Sequence, residues 1–88
     1  MLEIIEYGDH SPDDAPPAAN RNGLRHIAFE TGSVKELHDL RDLVLEHGGG
    51  RLGSIASREI ESIGVVTFVY MTDPEGNIIE LQCWDEMA

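Results

Sequence analysis

Eighty-eight residues, 41% hydrophobic and 26% charged, bound the chain to one small globular domain whose single core is marginal alone, so a partner subunit would help. A net charge of −11 with only six Lys and Arg excludes a nucleic-acid or anionic-membrane partner, since both need clustered basic residues. No apolar stretch approaches the roughly 18 residues of a membrane span. The start lacks the layout of a signal peptide, and the lone Cys83 excludes an internal disulfide, so a cytoplasmic location is expected.

In chain order, residues 1–7 alternate as a strand would, with Glu3, Ile5 and Tyr7 on one side and Leu2, Ile4 and Glu6 on the other. Residues 8–23 carry Pro12, Pro16 and Pro17 among Asp, Asn and Ala, and read as a linker in which His10 has no role. Leu24 to Thr31 is the next expected strand. Ser33 and Glu36 then form an S-x-x-E capping box, and Val34, Leu37, Leu40 and Val44 follow at helical spacing, with Leu43 widening the stripe. His47 and Gly48 end this helix, leaving His38 and His47 solvent-facing. The run Gly48-Gly49-Gly50 follows a helix rather than preceding one, so it is a turn and not a phosphate cradle.

Arg51 to Ile55 is a weak strand, and Ala56 to Gly64 a loop or the start of a hairpin. Val65 to Thr72 has the strongest strand composition in the chain. Asp73 to Asn77 consists of turn formers, Ile78 to Cys83 is the returning strand, and a tail begins at Trp84. The class is α+β: strand, helix, strand, strand, strand, with an extra strand at the N-terminus.

Two of these strands carry the chemistry. In the first, Ile27 and Phe29 point one way while His26, Ala28 and Glu30 point the other. In the last, Ile79 and Leu81 share a face opposite to Ile78, Glu80 and Gln82. An imidazole and a carboxylate among apolar neighbours are awkward to bury without a purpose. A metal ion supplies one, because both are first-row metal ligands; the bland alternative for His26 is a hydrogen-bonded histidine on a sheet face. Val66, Phe68 and Tyr70 share a strand face that either lines a cavity or packs as core, and Trp84 is expected at an interface or site edge. Cys83 has no basic neighbour to activate it as a nucleophile.

From Gly23 to Trp84, with His26 in HIAF and DPEGNIIELQ at the end, the sequence resembles one βαβββ module of the vicinal oxygen chelate superfamily. That group includes glyoxalase I, extradiol dioxygenases and the bleomycin-resistance proteins. The resemblance divides the chain into a strand at 1–7 similar to the close of a preceding module, a linker at 8–23, the module at 24–84 and a tail at 85–88. It implies two modules around a shared cavity, with His26 and Glu80 as metal ligands and Glu3 at the carboxylate position of a first module. Most of that first module is not in the sequence. The expectation is either the C-terminal part of a longer ancestor or a half-size member that forms a homodimer, bringing two His26 and two Glu80 to one centre.

The resemblance further implies a divalent ion (Zn, Mn, Fe, Ni or Co) acting as a Lewis acid on a small oxygenated substrate, with Glu80 shuttling a proton. Lyase, isomerase and dioxygenase chemistry all use this platform. The alternatives are a metal-free small-molecule-binding protein of the bleomycin-resistance type and an inactive half-size remnant.

Overall fold

Helix α1 (Val34–Glu46) starts where the sequence asks for it. In the computed structural model, which describes residues 2–6, 8 and 24–85, the Ser33 hydroxyl oxygen accepts from the Glu36 N–H at 3.0 Å. Glu36 reaches back, but its carboxylate accepts from the Gly32 N–H (2.9 Å), one residue earlier than in a strict capping box. At the other end the His47 N–H donates to the Leu43 carbonyl, and Gly48 turns the chain at φ +95°. Leu37 is fully buried, with Leu40, Val44 and Leu45 packed around the same core. The expected contribution of Leu43 is corrected: it is exposed, because it lies about 120° around the axis from Leu37, and Leu45 takes its place.

The strands are β1 (His26–Glu30), β2 (Gly50–Arg51), β3 (Ala56–Ile60), β4 (Gly64–Thr72) and β5 (Ile78–Asp85). They form one mixed sheet in the order β1-β5-β4-β2, with β3 also on β4. β1 runs parallel to β5, and the other pairings are antiparallel. β2 and β3 lie end to end along one edge of β4: Arg51 is opposite Met71, and Ala56 is opposite Phe68. Residues 52–55 therefore oppose only residues 69 and 70, and the pairing resumes displaced by two.

Counted together, β2 and β3 fill the third place in the strand–helix–strand–strand–strand order, so the α+β glyoxalase-like module is the observed fold. Three boundaries are corrected. The weak strand at Arg51 to Ile55 is confined to Gly50–Arg51, and the next strand lies at Ala56–Ile60, where a loop or the start of a hairpin was expected. β5 continues through Trp84 and Asp85 rather than ending in a tail. Residues 2–6 are exposed and pair with no strand edge, so they form no strand in this structure. Tyr7, residues 9–23 with His10, and residues 86–88 lie outside the described residues.

The core sits between α1 and one face of the sheet, where Val69 and Met71 of β4 and Leu81 and Cys83 of β5 close on Leu37. Gly49 permits the helix to approach, because a Cβ there would collide with the Val44 side chain and the Thr72 carbonyl. The β4–β5 connection is fixed by Asp73, whose carboxylate accepts from the N–H groups of Glu75 (3.0 Å) and Asn77 (2.8 Å) and from the Asn77 side-chain amide (3.0 Å). Gly76 supplies the positive φ of +88° that this turn needs.

Candidate functional site

The turn sets the register of β5 against β4, and alternation then assigns faces. Ile79, Leu81 and Cys83 go to the helix. Ile78, Glu80, Gln82 and Trp84 go to the opposite face, where no helix covers them among the described residues. Glu80 lies between two neighbours on that face, Ala28 of β1 and Tyr70 of β4. Being on a central strand, it is only 7% exposed.

A carboxylate so deeply placed requires partners, and the same face provides them. Glu80 Oε1 lies 3.2 Å from His26 Nε2, and Glu80 Oε2 accepts from Gln82 Nε2 at 2.7 Å. The Gln82 amide is itself oriented by the Trp84 indole, whose Nε1 donates to Gln82 Oε1 at 3.0 Å. Trp84, Gln82, Glu80 and His26 thus form a linked row across β5 and β1. The Tyr70 ring meets the His26 ring edge to face (centroids 5.3 Å apart, planes at 86°), and Phe68 packs against Tyr70 in the same manner. Burial raises the Tyr70 phenol above its ordinary pKa; the Glu80 carboxylate, as a charge and as an acceptor, adds to this, and Arg58 works the other way. The phenol is therefore a neutral donor beside an acceptor.

His26 and Glu80 come together as expected. The spacing of 3.2 Å is close to that adopted by two donors sharing one first-row ion, about 3 Å, and the outer carboxylate oxygen is held by Gln82 as metal-ligating carboxylates commonly are. Imidazole nitrogen with carboxylate oxygen fits half of such a coordination set. Among the described residues no group of three or more His, Cys, Asp or Glu is placed to hold an ion, and Glu3, exposed near the N-terminus, does not join the pair within the chain. His38 and His47 are exposed. The face shared by Val66, Phe68 and Tyr70 is the face of the pair, and Cys83 is buried on the other side. Sequence reading missed the orienting roles of Gln82 and Trp84. Their i, i+2, i+4 spacing from Glu80 on one strand is the signal that could have found them.

Comparison with solved structures places the fold. The chain matches a glyoxalase family protein from Bacillus cereus with a TM-score of 0.62 at 18% identity, covering 88% of this chain and 47% of that one. It matches a glyoxalase/bleomycin resistance protein/dioxygenase from Alicyclobacillus acidocaldarius with a TM-score of 0.55 at 19% identity, over 73% and 48%. A virulence protein from Salmonella typhimurium matches with a TM-score of 0.53 at 25% identity, over 78% and 54%. The chain thus spans about half the length of these solved chains. No protein-family model matches the sequence, and no curated protein matches it significantly. The fold is that of the glyoxalase/bleomycin resistance/dioxygenase proteins.

Proposed function

We propose that this chain supplies one half of a divalent-metal site of the glyoxalase type, which acts on a small oxygenated substrate and is completed by a second module. The observation carrying this reading is the buried Glu80 carboxylate, held by Gln82 and aimed at His26 Nε2 on the helix-free face of the sheet. His26 and Glu80 would hold the ion, and a second copy of the chain would bring the same two donors by two-fold symmetry. A divalent ion bound there supplies Lewis-acid stabilisation to an oxyanion of the substrate.

The remaining chemistry belongs to the protein. Glu80 is the carboxylate at which a substrate proton can be held, with Gln82 keeping its Oε2 in place. The neutral Tyr70 phenol donates a hydrogen bond at the same place, and Phe68 packs edge to face against its ring.

The test is elemental analysis of the purified protein beside the His26→Ala and Glu80→Ala variants. Wild type should retain a divalent metal, and each variant should retain about tenfold less or lower still. Equal metal content in all three would remove the reading. Light scattering should give a dimer for the isolated chain, and a stable monomer would remove the symmetric assembly. A second reading, a metal-free small-molecule-binding module, is favoured by the same contact: Glu80 is already satisfied by His26 and Gln82 with no ion required. Wild-type protein free of metal that still binds a small oxygenated compound on this face would establish it.

A further inference from the structure

The displaced pairing beside β4 has a consequence on the helix side of the sheet, away from the His26–Glu80 pair. Residues 52–55 bow out from β4, leaving a cavity of about 410 Å³ lined by Leu52 and Ile55 above the buried Val69 and Met71. That volume is within the usual range for small-molecule sites. Its rim carries Arg41 of α1, Arg51 of β2 and Ser54 of the bowed segment. Arg51 lies opposite Met71 in the sheet and shares its helix-side face.

Arg41 is the informative residue. Its Nε is buried and has no hydrogen-bond partner, while one terminal nitrogen makes a long contact (3.3 Å) to the adjacent Asp42. A guanidinium offers its donors as a planar fork suited to two oxygens of one anion, and a buried donor left unused is costly. Two of the six cationic side chains of a chain with net charge −11 converge on this one cavity. That convergence opposes the overall acidity and marks a local preference for negative charge.

We propose that this cavity binds a small organic anion, its carboxylate or phosphate head on Arg41 and Arg51 and its apolar body on Leu52 and Ile55. The site is independent of the proposed metal site, being on the other face of the sheet and needing neither His26 nor Glu80.

The test is amide chemical-shift titration of the full chain with sodium butyrate, with inorganic phosphate, and with 1-butanol as the uncharged control. Butyrate or phosphate should shift residues 41 and 51–55 saturably with a millimolar Kd, and the tighter of the two identifies the preferred head group. Butanol should leave them nearly unmoved. Arg51→Gln should weaken binding about tenfold, and Arg41→Lys, which keeps the charge but removes the planar fork, should do the same. No saturable shift from either anion, equal shifts from butanol, or undiminished affinity in both variants would overturn the proposal. Shifts confined to His26, Tyr70 and Glu80 would also overturn it.

Discussion

The two faces of β4 and β5 are built from the same strands, one residue out of step, and they solve opposite problems. On the helix side Val69, Met71, Leu81 and Cys83 meet Leu37 with almost nothing exposed and no polar side chain among them. On the other side Tyr70, Glu80, Gln82 and Trp84 hold one another through directed contacts, and His26 joins from β1. Burying apolar area without directional bonds makes the first face the source of stability. The second spends burial on a carboxylate that must be hydrogen-bonded to be tolerated, an arrangement that specifies geometry more than it stabilises. Substitutions should therefore separate into those that unfold the chain and those that only disarrange the polar row.

The largest effect is expected on the helix side. Leu81→Ala, which opens a cavity beneath Leu37, should lower unfolding free energy by about 3 kcal/mol in urea titration. A loss below about 1 kcal/mol would show that the core collapses around the gap and that the contrast between faces is weaker than described. One residue along, Gln82→Leu removes the donor to Glu80 and the acceptor for Trp84, and should cost about 1 kcal/mol in the same measurement. If the proposed metal site is correct, it should also lower metal retention about tenfold, since the outer partner that would orient the Glu80 ligand is lost. Metal retention unchanged by Gln82→Leu would mean that Glu80 is oriented by His26 alone.

The third test uses pH. The Tyr70 phenol is raised above 10.0 in the folded chain, so the neutral form is favoured by folding. Its contribution is fully present below the unfolded value and is lost as pH rises through the folded one. Alkaline absorbance titration should show a late-ionising tyrosine that Tyr70→Phe removes. Ionisation of both tyrosines at the ordinary value would detach Tyr70 from the polar row. The smallest effect belongs to neither face: Ser62, in the β3–β4 turn, adopts φ +67°, and Ser62→Gly should stabilise the chain by about 0.5 kcal/mol.

The helix and the last hairpin were legible because each carries local signals that tertiary packing did not have to override: the Ser33–Glu36 cap, the run Val65 to Thr72, and the turn formers Asp73 to Asn77. Alternation places His26 and Glu80 opposite Ile27, Phe29, Ile79 and Leu81, while the resemblance to a vicinal oxygen chelate module is what joined them as a pair. Strand β3 was not, because Ser57, Arg58 and Glu59 on an exposed edge look like loop; charges there protect the edge from unwanted pairing. Leu2 to Glu6 misled in the opposite direction, since period-two alternation gives only the possibility of a strand. The break at residues 52–55 has no signature short of knowing the partner register, which is why the cavity beside Arg41 was invisible in the sequence.

The five-residue connection anchored by Asp73 does more than reverse the chain. It acts as a parity switch for everything downstream. A slip of the pairing by a single residue would turn all eight residues of β5 inside out, sending Leu81 and Cys83 to water and driving the Glu80 charge against Leu37, whereas a slip of two would keep the chemistry and the core on their own faces.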